Sequence, residues 1–168
     1  MMRFGERIRP SCLPYVCAGG GIALGVALFP RLTGGSPLPV LRLLGADRLL
    51  PPLWITGLLW LIFTALAGCG AGYALATKGR GGPRELAFWR GMTLLILSVG
   101  AALAWYRLVF VSLLLLPAWL CLLGAAVCGL SCVLSWLPTQ TMPALAAACL
   151  SLWYLVLFLI HFAVMLRN

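Results

Sequence analysis

The sequence predicts an all-α integral membrane protein, a bundle of five transmembrane helices. Three observations carry that expectation. From Leu108 to Leu166 there is not one Lys, Arg, Asp or Glu. The run is too long for a single crossing, because about 20 apolar residues already span the hydrocarbon of a bilayer. Its only interruption is Pro138-Thr139-Gln140-Thr141-Met142-Pro143, which reads as a tight, uncharged turn between two spans. Over all 168 residues, 63% are apolar and 9% charged, against about 25% charged in soluble domains. Three more apolar runs precede Leu108, each flanked by basic residues. No segment is left for a soluble domain, so residues 1–168 are expected to form one membrane domain.

Arg3, Arg7 and Arg9 precede the first apolar run, about 11–29. A basic stretch before an apolar one also describes a signal peptide. The run is long for that, however, and Phe29-Pro30-Arg31 is a poor cleavage site, so a first transmembrane helix is the better reading. Gly21 and Gly25 give it a small-xxx-small step suited to close helix contact. The connection that follows holds Gly34-Gly35-Ser36-Pro37, Arg42, Asp47 and Arg48, and is too polar to cross a bilayer. Its Leu-rich part, Leu38 to Leu50, is expected to lie along the interface as a short helix.

Pro51-Pro52 opens the second span, 51–77, where proline suits a first helical turn because its missing N–H would be unpaired there anyway. Gly68 and Gly72 form another close-contact face. With Gly21 and Gly25 they offer surfaces for helix pairing or a homodimer. After the basic loop Lys78 to Glu85 comes the third span, 86–106. Arg90 sits one turn inside it and can snorkel to the headgroups. The fourth span, 110–137, contains Pro117, expected to bend it, and the fifth runs over 143–166. Five crossings put the termini on opposite sides. Seven basic residues then share the N-terminal side (Arg3, Arg7, Arg9, Lys78, Arg80, Arg84, Arg90) and five the other (Arg31, Arg42, Arg48, Arg107, Arg167). That leans toward a cytoplasmic N-terminus.

The formal charge of +9, from 12 basic and 3 acidic residues, would suggest nucleic acid in a soluble chain. Here the basic residues flank spans, which points to lipid headgroups and not to nucleic acid. The seven cysteines are odd in number and contain no CxxC, so neither a disulfide framework nor a zinc site is expected. Cys121, Cys128 and Cys132 share a helical face, which suits packing better than a soft metal. No Asp or Glu lies at membrane depth, where proton-coupled transporters place a group that binds and releases the proton. No P-loop, HExxH or GxSxG motif is present, so hydrolytic catalysis has no visible machinery. A bacterial inner membrane is expected, since no organelle-targeting extension is evident.

Seven tryptophans remain. Trp89, Trp105 and Trp136 suit interfacial belts, where indole sits between lipid and water. Trp54 fits a belt or a site equally. Trp60 and Trp153 lie deeper, where an indole N–H needs a partner; cavity lining and core packing both account for them. His161 has two readings. One is a core histidine bonded to a carbonyl or hydroxyl on another helix. The other is a ligand to the iron of a haem or other metalloporphyrin.

The stretch Pro51-Pro52-Leu53-Trp54-Ile55-Thr56-Gly57-Leu58-Leu59-Trp60 resembles the translocator protein family, also called tryptophan-rich sensory proteins (TspO/MBR), which open their second helix with Pro-Pro-x-Trp-x-x-Gly-x-x-Trp. The five-helix plan, long first loop and chain length agree, as does Leu28-Phe29 at the end of the first helix. Trp105-Tyr106-Arg107-Leu108-Val109-Phe110 is similar to the family's stretch closing helix three. Trp153 with His161 and Arg167-Asn168 looks like its fifth-helix pattern. There are departures. Ala102 and His161 stand where the family has Asn, Met165 where it has Trp, Cys149-Leu150 where it has Pro-Tyr, and Ala46-Asp47 where it has Lys-Pro. The resemblance implies a divergent member binding porphyrin or another flat hydrophobic ligand between the helices, under the first loop, with transport, sensing or turnover downstream. No cofactor is required for that. Some bacterial relatives are linked to light-dependent porphyrin breakdown. Residue matching makes Trp54 and Trp153 the porphyrin-facing pair, in a slot between the second and fifth helices, with Pro52, Gly57, Trp60, Trp105 and His161 around it. The sterol-contact pattern of Leu/Val, Tyr and Lys/Arg is not met in the last helix. The competing readings are a ligand-free membrane scaffold or regulatory partner, and a small solute permease disfavoured by the missing carboxylates.

Overall fold

The computed structural model describes residues 10–33, 39–40, 52–78 and 82–167. After a short 3-10 turn, Pro10–Cys12, come five helices: α1 (Leu13–Thr33), α2 (Leu53–Thr77), α3 (Pro83–Phe110), α4 (Leu115–Trp136) and α5 (Thr141–Met165). All five are long and apolar enough to cross a membrane, and no strand occurs among the described residues. The all-α five-helix bundle is therefore observed. The interfacial helix expected over Leu38 to Leu50 lies outside the described residues apart from Pro39 and Val40.

The helix ends follow local chemistry. The carbonyl of Pro52 accepts from the Ile55 and Thr56 amides at 2.8 and 3.1 Å, which starts α2 without a side-chain cap. Gly82 takes φ 83 before Pro83, a left-handed conformation that glycine adopts freely. Proline then occupies the first position of α3, with Glu85 in the first turn beside the helix's positive end. Two expected boundaries are corrected. α1 runs through Pro30 to Thr33 and not to 29. α3 begins at 83 and runs to 110, past the expected 106. The break before α4 therefore falls at Val111-Ser112-Leu113-Leu114. There Leu113 adopts φ 55, and the Leu114 amide reaches back to the Leu108 carbonyl at 2.9 Å. Pro117 sits in the first turn of α4, where a missing N–H breaks no helical bond, so no bend is required of it.

Many alanines are inside, and many large aliphatic side chains are outside. The buried set includes Ala67, Ala74, Ala102, Ala118, Ala125 and Ala147, while Ile22, Leu86, Ile96, Leu130, Leu134 and Leu152 are exposed. Water would not tolerate so extensive an apolar surface. In lipid it costs nothing, and small residues let helix backbones approach. The protein is an integral membrane protein. Three hydroxyls within the spans are satisfied locally, Thr64 on Trp60, Thr93 on Trp89 and Ser151 on Ala147, each donating to the carbonyl four residues back.

Neighbouring helices pack in the order α1–α2–α5–α4–α3, each pair antiparallel. α3 packs along α4 and only grazes α1 and α2. α1 and α2 interlock through glycine. A Cβ on Gly19 would strike the Gly68 carbonyl, one on Gly68 the Ala23 side chain and Gly19 carbonyl, and one on Gly72 the Tyr15 carbonyl. The face is thus Gly19/Ala23 against Gly68/Gly72. The expected contact residues Gly21 and Gly25 have nothing within 4 Å. α3, α4 and α5 meet at Gly129, whose Cα lies beside the Ser151 and Ser98 hydroxyls. Ser98 Oγ donates to the Ala125 carbonyl across the α3–α4 seam at 2.6 Å.

Candidate functional site

α5 is the floor of the candidate site. Its buried residues Leu150, Trp153, Tyr154, Leu157, His161 and Val164 recur every three or four positions, the spacing that keeps side chains on one face of a helix. That face meets aromatic rings from both neighbours. Trp60 on α2 lies against Tyr154, centroids 5.8 Å apart, and Phe63 against Trp153 at 6.0 Å, both tilted. From α4, Trp119 stacks on Phe158 at 5.0 Å and tilts against Phe162 at 5.9 Å. Trp105 of α3 is half-buried against the same core and meets Phe110 edge-on at 6.0 Å. Each such ring pair contributes about 0.5–1.5 kcal/mol beyond burial.

The expected slot between α2 and α5 is corrected by this packing. The two helices touch directly, with Gly70 against Pro143 and Ala146 and the pairs Phe63–Trp153 and Trp60–Tyr154 crossing the seam. Trp153 is 6% exposed, whereas Trp54 is 69% exposed, and no ring contact of Trp54 is seen among the described residues. The pairs Phe63–Trp153 and Trp60–Tyr154 place Trp54 level with about residue 161 of α5. That is about eight residues, or ~12 Å, along the axis from Trp153. The two indoles do not face each other. Pro52 is exposed at the start of α2 and Gly57 is half-buried one turn later; neither is brought to Trp153.

His161 is buried, and its Nε2 lies 3.0 Å from the Leu115 carbonyl of α4. This is the core-histidine arrangement: Nε2–H donates across the seam, which occupies the nitrogen an axial iron ligand would use. Trp136, expected in an interfacial belt, is instead fully buried, its indole laid over Gly91 of α3. Belt positions do exist at Trp54 and Trp89, both exposed at opposite ends of the bundle. Lys78 Nζ lies 5.0 Å from the Trp89 ring centre and 5.4 Å from that of Phe88, a cation–π contact that ties the end of α2 to α3.

Unpaired polar atoms mark this region. Among the described residues, Trp105 Nε1, Trp119 Nε1, Trp153 Nε1 and the Tyr154 hydroxyl are buried without a hydrogen-bond partner. The antiparallel pairings place these four donors within about six residues, or ~9 Å, along the bundle axis, from mid-bilayer toward the 111–114 turn. A buried donor left unpaired costs about 1–3 kcal/mol. Trp136 Nε1 and Gln140 Oε1 are also unpaired, at the opposite end. Phe63, Trp119, Tyr154 and Phe158 escaped the sequence reading. The α5 periodicity through Trp153 and His161 was the signal that would have drawn in Tyr154. No family model, curated protein or solved structure matches this chain.

Proposed function

We propose that this membrane protein binds a flat, apolar ring ligand of the porphyrin type against the aromatic face of α5, as a divergent TspO/MBR-like protein that transports, senses or turns over such a ligand. The observation that carries the reading is the group of four buried donors with no partner in the chain. Tyr and Trp are normally buried with their polar handle bonded. A ligand seated on the rings and offering acceptors would satisfy donors that the helices leave open. The Pro51 to Trp60 motif supports the ligand class, and the seam where α3 only grazes α2 supports the route in. The uneven basic residues support a cytoplasmic N-terminus, and a bacterial plasma membrane is part of the same proposal.

Titrating the purified protein with protoporphyrin IX tests this. Saturable quenching of tryptophan fluorescence is expected. Trp153→Phe should weaken it about 5-fold or more, the worth of roughly one hydrogen bond. Trp54→Phe should leave the affinity within about 2-fold, because its ring is not part of the floor. Linear quenching in every variant removes the proposal.

One observation favours the scaffold alternative. Gly21 and Gly25 face outward with nothing against them, and the exposed Cys17 lies one turn before Gly21 on the same face. If this face pairs two copies, mild oxidation in membranes yields a disulfide-linked dimer that Cys17→Ser abolishes. A chain that stays monomeric under oxidation rules out pairing through this face.

A further inference from the structure

The unpaired side-chain atoms in the half of the bundle that holds the ring site have one chemistry in common. Trp105, Trp119 and Trp153 each present an indole N–H, and an indole nitrogen cannot accept. Tyr154 presents an O–H, and its residue is fully buried. His161 already donates its Nε2–H to Leu115. Ser98 and Thr64 donate theirs to helix carbonyls. No cation stands level with Trp153 and Tyr154 among the described residues: Arg107, two residues beyond Trp105, is exposed in the last turn of α3, and Arg90 lies near the other end. The site therefore offers donors without counter-charge.

That combination discriminates between ligands. A hydrocarbon ring leaves every donor as unsatisfied as before. A carboxylate placed at this depth loses its hydration with no cation to replace it, so acidic arms must stay at the rim near Arg107. A ligand whose polar atoms are N–H groups alone adds donors to donors, and a free-base porphyrin matches only through its two unprotonated ring nitrogens. A neutral carbonyl, with two lone pairs and no proton, matches what is open.

Building on the ring-ligand reading above, we infer that the site selects uncharged flat ligands whose polar atoms are carbonyl acceptors, the quinone class, over hydrocarbons of the same shape. Trp153 and Tyr154 are the selecting residues, being adjacent in sequence, at least nine-tenths buried and unpaired. They recognise the carbonyl by donating to it; no chemistry on the ring is implied.

The test compares 2-methyl-1,4-naphthoquinone with 2-methylnaphthalene, which differ by two carbonyl oxygens, on the full chain in phosphatidylcholine nanodiscs. Dissociation constants are read from the saturable shift in thermal unfolding. The quinone is expected to bind about tenfold tighter or better, since one net hydrogen bond approaches that ratio. Tyr154→Phe and Trp153→Phe should each reduce this preference severalfold and leave the hydrocarbon affinity within about 2-fold. Equal affinities, or a preference that survives both substitutions, overturn the inference. If the naphthalene and protoporphyrin IX bind saturably while the quinone gains nothing, only the carbonyl selection fails. If none of the three saturates, the ring site fails with it. Tyr154→Phe is its own control: deletion of an unpaired buried hydroxyl leaves the ligand-free protein as stable or more so. A drop in its unfolding temperature would mean the hydroxyl is bonded within the chain, and would also overturn the inference.

Discussion

Gly72→Leu is expected to detach α1 from the bundle, while Gly21→Leu and Gly25→Leu leave the unfolding temperature unchanged. All three glycines look alike in sequence, each one half of a small-xxx-small step. They differ in what stands opposite. A Cβ at Gly72 meets the backbone carbonyl of Tyr15, which is part of a helix and cannot rotate aside. At Gly19 the obstacle is the Gly68 carbonyl, again backbone. Even Gly72→Ala should cost about 1–3 kcal/mol, the usual penalty for overfilling a close-packed interface. Leu adds three more carbons and forces the helices apart. Gly21 and Gly25 look onto open space, and a larger apolar side chain there only contacts lipid. Thermal unfolding in detergent of the four variants Gly19→Leu, Gly72→Leu, Gly21→Leu and Gly25→Leu reads the difference directly. Equal losses at all four positions would mean that α1 presents a different face to α2.

Trp136→Ala should destabilise the bundle by about 3–5 kcal/mol, the range for emptying the volume of a buried Trp. Its indole is fully covered and rests on Gly91, where an added Cβ would strike the Nε1, Cε2 and Cδ1 atoms of the ring. Gly91→Ala alone should therefore cost about 1–3 kcal/mol through overpacking. In a Trp136→Leu background the same change should be nearly silent, since the smaller side chain leaves room for the methyl. This coupling is a double-mutant cycle between residues in contact, where non-additivity is expected. Unfolding temperatures that add, with Gly91→Ala costing as much in the Trp136→Leu background as in the parent chain, would show that the two do not touch.

Several features were legible in the residues alone. The uncharged run Leu108–Leu166 implied at least two crossings, and Pro138–Pro143 located the turn between the last two helices, observed at 137–140. The other hairpin was misplaced for a physical reason. Val111-Ser112-Leu113-Leu114 contains no Gly, Pro, Asn or Asp, and Ser112, a weaker turn former, is its one turn-favouring residue; the reversal uses Leu113 at positive φ. The candidate site was half legible. Trp153 lies midway along its helix and Trp60 about a third of the way along its own, because position along an apolar span can be counted. Trp54 was expected opposite Trp153, and Trp136 in a belt, because nothing in a uniformly apolar helix distinguishes its lipid face from its packed face.

Composition and charge spacing were sufficient for the medium, the number of crossings and their order along the chain, because the bilayer imposes a length and excludes charge. They did not contain the neighbour order. α2 and α3 are joined by a loop of a few residues yet barely touch, while α2 packs on α5, which lies far along the chain beyond two intervening helices. In lipid the hydrophobic effect does not choose partners, since acyl chains are as apolar as leucine. The choice falls to shape: which glycine accepts which backbone, and which ring fits against which neighbour. Only the folded bundle specifies those fits, and with them the four unpaired donors on which the proposed ligand site rests.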